Sequence, residues 1–316
     1  MRVPRGLHQG VTPELAVFGN LIVDDIVYPD GSTRIGQPGG AALFTALGAR
    51  LWQVEVGIGS VVGDDYPAAV IEKLNRLGID LAGLRTEPGP GMRTWLLYEG
   101  RRRQVVHRLD SPSHESMSPV PRDLPASWRP AAIHLAPMPL PVQEAWVEAL
   151  RDVDCLLSVD PYELVDERSL ERCRRVFRRT DLVAFSEDEL LLDKALARPE
   201  EGLRRIAGSG AAGRLRYLIL KRGVRGGLAL DTHSGSLTPW QPGEPVVAEE
   251  TGAGDAFAGG LLAGLIRGRS LTESLQQGAV SASFALEGLG ASSLLETDPA
   301  EPRRRLGEWF GEGRVA

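Results

Sequence analysis

Thr251-Gly252-Ala253-Gly254-Asp255 lies between Val246-Val247-Ala248-Glu249-Glu250 and a run of small apolar residues with helical character that reaches Gly268. This pattern predicts a tight turn feeding a helix N-terminus. Gly252 and Gly254 let the backbone take a positive φ or approach a ligand closely, and the first helical turn leaves amides without partners. Those amides, with the positive end of the helix dipole, make an anion site. A carboxylate there repels a phosphate unless it has a task. One such task is to accept the proton of a hydroxyl that attacks a bound phosphoryl group. Asp also caps helices well, so the pentapeptide alone leaves both roles open for Asp255.

The elements that must position this turn follow from the chain in order. Leu15 to Tyr28, LAVFGNLIVDDIVY, has the apolar, β-branched character of a buried strand, interrupted by Gly19, Asn20, Asp24 and Asp25. Two adjacent carboxylates after an apolar run are expensive to bury without partners. They are either solvated at the strand end or placed to bind hydroxyl groups, because strand C-terminal ends line the ligand crevice of open α/β sheets. Pro38-Gly39-Gly40 leads into AALFTALGARLW, a second glycine-to-helix junction. Val54 to Val62 is a strand ending at Gly63-Asp64-Asp65, with a helix over 67–77 and Asp64 as its N-cap. RTWLLY and RQVVHR, joined by Glu99-Gly100, read as a hairpin. From Ala131 onward, strands at 131–136, 155–159, 181–185, 216–221 and 226–230 alternate with helices at 141–152, 166–178 and 187–207. Such alternation predicts a mostly parallel sheet covered by helices.

Further chemistry is spread along the second half. Ser186-Glu187-Asp188-Glu189 crowds acids at a helix start, which dipole complementarity alone accounts for. Lys221-Arg222-Gly223-Val224-Arg225-Gly226 follows a strand and suits phosphates or a ribose edge, or is surface charge. Ala279, Ala282, Ser283 and Gly290 are small enough for a pocket or for plain helix packing.

Together these stretches resemble the ribokinase-like (PfkB) carbohydrate kinases over almost the whole chain from about residue 15. TGAGDAF with its Gly/Ala/Leu helix is similar to their C-terminal signature. The resemblance implies that the Gly252, Ala253 and Gly254 amides form an anion hole for the transferred phosphoryl group and that Asp255 is the catalytic base. Gly19 through Asp24 resembles the family's G-x-x-x-x-D, which implies that Asp24 holds acceptor hydroxyls; Asp25 is one register off. Gly39-Gly40 resembles the Gly-Gly pair beside the acceptor. Phe44 stands where the family usually has Asn, so the acceptor is less hydroxylated on that face, or the polar contact comes from elsewhere, or Phe44 is ordinary helix core. Gly63 and Asp65 fit a V-G-x-D segment. Ser186 and Glu189 fit N-x-x-E with Ser for Asn, which implies that Glu189 holds magnesium through water. Lys221 and Gly223 fall at a nucleotide-binding turn, and Ala279 in the helix that packs the adenine pocket.

The implied cofactors are ATP and Mg2+, with a monovalent cation in some relatives. The implied partner is a small sugar, polyol or nucleoside, with Phe44 or Trp95 as a stacking surface for a base. The fold expected is a doubly wound, mostly parallel α/β sheet flanked by helices over 14–316. A small inserted β lid is expected at about 28–38 and 92–109, and family members often dimerise through it. A catalytically weak sugar- or nucleotide-binding regulator is the other reading, given the substitutions at 44 and 186.

Composition narrows the field. The 316-residue chain is 42% hydrophobic and 25% charged, as in ordinary globular proteins, and its net charge of −6 argues against a broad nucleic-acid or anionic-membrane surface. Its lysines are Lys73, Lys194 and Lys221, and no GxxxxGK[ST] phosphate loop occurs. Cys155 and Cys173 lack metal or redox spacing, the histidines form no cluster, and no G-x-S-x-G elbow is present. No run suits a membrane span and residues 1–13 lack a signal-peptide core, so the expectation is a cytoplasmic protein with a loose leader.

Overall fold

The computed structural model describes residues 12–99, 102–192, 198–208 and 213–311. Most of the expected leader and the tip of the expected hairpin, Gly100 and Arg101, therefore lie outside the described residues. The strands are β1 (Leu15–Phe18), β2 (Ile22–Val27), β3 (Thr33–Gly39), β4 (Val56–Gly63), β5 (Asp80–Glu87), β6 (Arg93–Glu99), β7 (Arg102–His107), β8 (Ala132–Leu135), β9 (Leu156–Val159), β10 (Leu182–Ser186), β11 (Tyr217–Lys221), β12 (Gly227–Asp231) and β13 (Leu237–Trp240). The helices are α1 (Ala41–Arg50), α2 (Ala68–Arg76), α3 (Leu140–Ala149), α4 (Leu170–Phe177), α5 (Pro199–Ala207), α6 (Ala253–Ile266), α7 (Leu271–Leu286), α8 (Ser292–Glu296) and α9 (Glu301–Phe310).

The large sheet runs β13-β12-β11-β10-β9-β8-β1-β4-β5, parallel from β5 to β11 and closed by the antiparallel β11-β12-β13 edge. Strand parity divides its two faces, since successive side chains point to opposite sides. Phe18, Ile133, Leu135, Leu157, Val159, Val183 and Phe185 pack with Trp146 and Phe177 of α3 and α4. Leu15 and Val17 face α1, and Leu182, Ala184 and Ile219 face Phe257 and Leu261 of α6. Helices therefore cover both faces, as expected for a doubly wound fold.

The lid is a second sheet, β3-β2-β6-β7. Its first strand departs from expectation: Leu15 to Tyr28 is not one strand but two, with β1 in the large sheet and β2 in the lid. Gly19 and Asn20 make the crossing. A Cβ on Gly19 would sit 2.7 Å from the Ala136 Cβ, so only glycine lets the chain leave the sheet there.

Other expectations are corrected as well. The helix expected at 187–207 begins at Pro199, where proline suits a first turn; Glu187–Glu189 is a single 3-10 turn, and 193–197 lie outside the described residues. The helices α8 and α9 and the edge strands β5 and β13 escaped the sequence reading. Asp64 does not cap α2, whose N-cap is Pro67; its carboxylate accepts from the Gly89 amide at 3.2 Å. Among the described residues, no helix is long and apolar enough to cross a membrane.

Candidate active site

Two helices set the geometry. α1 and α6 run side by side through small residues. A Cβ on Gly48 would collide with the backbone of Ala256, and one on Gly259 with the Thr45 carbonyl and, at 2.7 Å, the Ala49 nitrogen. Backbones this close leave α6 apolar on all sides and buried through Ala256–Gly264, as a core helix must be. Since Phe44 meets Gly252 and Gly48 meets Ala256, the helices ascend together and their N-termini lie at one end.

At that end Gly252 has φ 77° and opens α6 with no side-chain cap, while Gly40 has φ 98° and opens α1 in the same way. Both conformations favour glycine. A Cβ on Gly252 would run into the Phe44 ring. Phe44, 1% exposed, is thus a buried support beneath the turn, and its ring presents no open face for stacking on a base. Asp255 lies in the first turn of α6, as its spacing required.

The expected acceptor residues converge. Gly39 lies directly against the Asp24 carboxylate, and the Thr94 hydroxyl donates to Asp24 Oδ1. Asp25 has another use: Arg93 Nε and Nη2 each donate to it at 2.8 Å and the Gly36 amide donates at 2.9 Å. Burial pushes its pKa up, but these donors and Arg108 outweigh that and hold it below the usual carboxylate range. The neighbouring carboxylates are therefore divided between structure and site. Asp65 accepts from the Gly91 amide at 2.7 Å, stapling the turn after β4 to the approach to β6.

Behind the 251–254 turn lies a buried charge cluster. Continuing the strand parity, Ser158, Asp160, Ser186 and Lys221 emerge on the α6 side of the sheet. Lys221 Nζ donates to Asp160 Oδ2 at 2.9 Å and stands 3.5 Å from the Gly254 carbonyl. Burial works against its ammonium, yet Asp160, Glu189 and Asp255 outweigh it and raise the pKa. Glu189 accepts from the Ser186 amide at 2.6 Å, and burial pushes its carboxyl up to about 7 against the pull of Lys221. Among the described residues the buried Asp160 Oδ1 has no hydrogen-bond partner. Asp160 passed unnoticed in the sequence, although a carboxylate closing the apolar strand LLSV is the same signal that marked Asp24.

The 221–226 turn and α7, where the sequence suggested nucleotide contacts, have these neighbours. Arg222 and Arg225 both pair with Glu187, which ties the β10 and β11 loops together. Gly223 has φ 56° with open space around it. Ala279, 3% exposed, and Ser283, whose hydroxyl accepts from Arg305 at 2.8 Å, lie within helix packing. His134 is a core residue beside Ser158, held neutral by burial with its pKa down to about 4.

The pfkB family carbohydrate kinase model matches residues 13–298. The chain belongs to the pfkB family. A cytidine kinase of Thermococcus kodakarensis is 29% identical over 289 residues, 89% of this chain and 99% of that protein. A ribokinase of Cryptococcus neoformans in complex with ADP shares the fold, with TM-score 0.75 and 17% identity over 93% of this chain and 100% of its own. So does a Burkholderia thailandensis nucleoside kinase in complex with inosine, with TM-score 0.73 and 16% identity over 94% of this chain and 98% of its own. Kinase chemistry on sugar- or nucleoside-like substrates is the province of the pfkB family, whose model covers residues 13–298 of this chain.

Proposed function

We propose that this pfkB-family chain transfers the γ-phosphoryl group of ATP to a hydroxyl of a nucleoside, with cytidine the first acceptor to try. The observation that carries the reading is the placement of Asp255 in the first turn of α6, after a left-handed Gly252 and at the same end of the paired helices as the Asp24–Gly39–Gly40 corner. The cytidine kinase, matched over nearly its full length, favours a nucleoside over a free sugar or polyol.

In this reading Asp24 accepts hydrogen bonds from the acceptor and orients it, with Gly39 and Gly40 letting it approach the backbone. Asp255 takes the proton of the attacking hydroxyl, and the amides of Gly252, Ala253 and Gly254 receive the phosphoryl oxygens as charge develops on them. Lys221, held by Asp160, balances the carboxylates gathered behind the turn. Among the described residues no group of three or more metal-ligating side chains occurs. A hydrated Mg2+ keeps several waters and needs few direct carboxylates. Glu189, through water, and the unpartnered Asp160 Oδ1 would hold it, and when bound it neutralises phosphate charge.

ATP consumption with magnesium, measured over cytidine, inosine, ribose, fructose and inositols, tests the reading. Strong stimulation by a nucleoside, silenced in Asp255→Asn, is expected. Stimulation by a free sugar alone would reassign the acceptor. Thermal stabilisation by ATP with no consumption under any acceptor would leave a binding protein.

A further inference from the structure

β6 of the lid reaches both halves of the site along one face. Thr94, Leu96 and Tyr98 alternate with Arg93, Trp95 and Leu97, so they point the same way. At one end the Thr94 hydroxyl donates to Asp24, the acceptor carboxylate. Four residues on, about 13 Å along an extended strand, the Tyr98 hydroxyl donates to Glu249 Oε1 at 2.9 Å and stands 2.8 Å from Thr251 Oγ1, beside Gly252.

Glu249 is 4% exposed and is a carboxylate the phosphoryl-transfer chemistry does not use. Its other oxygen accepts from the Gly290 amide at 2.8 Å, and Gly290 in turn lies 3.7 Å, measured from the Cβ it would carry, from the Pro38 carbonyl of lid strand β3. The backbone around Glu249 is fastened too: the Ala248 and Glu249 amides both donate to the Leu286 carbonyl, at 2.7 and 3.2 Å. The Tyr98 ring is stacked on Tyr28 at 5.9 Å, which fixes where its hydroxyl can go. A buried carboxylate is tolerable only where donors satisfy it, and one of its donors belongs to the lid.

We propose that Tyr98 is a positioning residue: its hydroxyl, through Glu249, couples closure of the lid over the acceptor to the conformation of the 251–254 turn that receives the phosphoryl group. The coupling rests on the kinase reading only in its second half. That the lid hydroxyl holds the turn is a statement about this chain whatever it phosphorylates. Binding under the lid and binding at the turn then favour one another reciprocally, because one hydrogen-bonded unit belongs to both.

Amide hydrogen exchange over 248–256, in wild type, Tyr98→Phe and Glu249→Gln, tests the first half without any acceptor. Tyr98→Phe removes one hydroxyl and keeps the ring on Tyr28; exchange over 248–256 should rise about tenfold, the effect of one lost buried hydrogen bond. Glu249→Gln keeps a polar group able to bond both Tyr98 and Gly290, so it should rise less. Kinetics test the second half. In Tyr98→Phe, kcat should fall about tenfold or more while acceptor KM stays within about threefold, and the tightening of ATP binding by the acceptor should disappear. Unchanged exchange over 248–256 in Tyr98→Phe overturns the proposal, even if the wild type consumes no ATP. Changed exchange with a rise confined to acceptor KM overturns the coupling and makes Tyr98 a wall of the acceptor site. A wild type that consumes no ATP, with exchange raised in Tyr98→Phe, sinks the kinase reading and leaves the latch standing.

Discussion

Gly40 before α1 and Gly252 before α6 both hold a positive φ, both open a helix without a side-chain cap, and the two helices ascend together so that their N-termini lie at one end. The junctions differ in what surrounds them. The first turn of α6 contains Asp255, and that of α1 contains no acid. A Cβ at Gly252 would meet a side chain, the Phe44 ring, whereas one at Gly40 would meet backbone, the Asn20 carbonyl and, at 3.0 Å, the Ile22 nitrogen. Lys221 lies behind the α6 turn with Asp160, and the Asp24 carboxylate lies beside the α1 turn against Gly39. One architectural device thus stands in two settings: a glycine-opened helix start with an acid in its first turn and a buried cation behind it, and one with a carboxylate against the preceding glycine.

The largest effect comes from making the junctions alike. Asp255→Asn should lower kcat by about 10²–10⁴, the usual contribution of a positioned base, while ATP binding and melting temperature hold. Turnover near wild type would move the base elsewhere and remove the distinction.

Lys221→Met asks how far the α6 junction depends on charge behind it. It strands Asp160 beside Glu189 and Asp255 without their cation, and breaking a buried pair from one side costs about 3–5 kcal/mol. Urea denaturation should show most of that loss, and adding Asp160→Asn should recover part of it. Full stability in Lys221→Met would mean that the carboxylates are satisfied by other means.

Gly252→Ala and Gly40→Ala should each cost about 1–2 kcal/mol for the left-handed backbone alone, with the steric clash added. The partners then separate them. Phe44→Leu, which trims the ring, should recover part of the loss at Gly252 and none at Gly40, read as a coupling of about 1 kcal/mol in a double-mutant cycle. Equal recovery at both would show that the Phe44 contact is not what distinguishes the turns.

The smallest effect is on pH dependence. The Glu189 carboxyl is raised from 4.5 to about 7 in the folded chain, mainly by burial. A carboxyl raised in this way contributes stability that is fully present below 4.5 and is lost as pH rises through about 7. Without nucleotide or magnesium, wild type should therefore lose stability relative to Glu189→Gln between those values, on the order of 1 kcal/mol, and run parallel above them. Melting curves across that range that stay parallel throughout would place Glu189 in water.

Local patterns carried much of this into the sequence. The Gly-Ala-Gly-Asp turn, the Gly-Gly turn and the alternation of strands and helices after Ala131 each depend on neighbours a few residues apart, and each was legible. What was missed depended on partners far along the chain. Ile22–Val27 has the same apolar character whether it continues β1 or joins the lid; Gly19 packing against Ala136 decides. Asp64 beside a helix start looks like a cap until Gly89 offers it an amide. Phe44 in place of a polar residue left an altered acceptor and ordinary helix core both open, and only the fold packs its ring against Gly252.

The sequence by itself determined the Gly-Ala-Gly-Asp turn and the helix start it feeds, because turn chemistry and helix starts are set by adjacent residues. Only the tertiary structure decided that Lys221 would hold Asp160 behind that turn and that a lid tyrosine would reach Glu249. Those pairings join residues 61 and 151 positions apart, and it is the packing of helices and sheets through glycine contacts, rather than any local preference, that closes such distances.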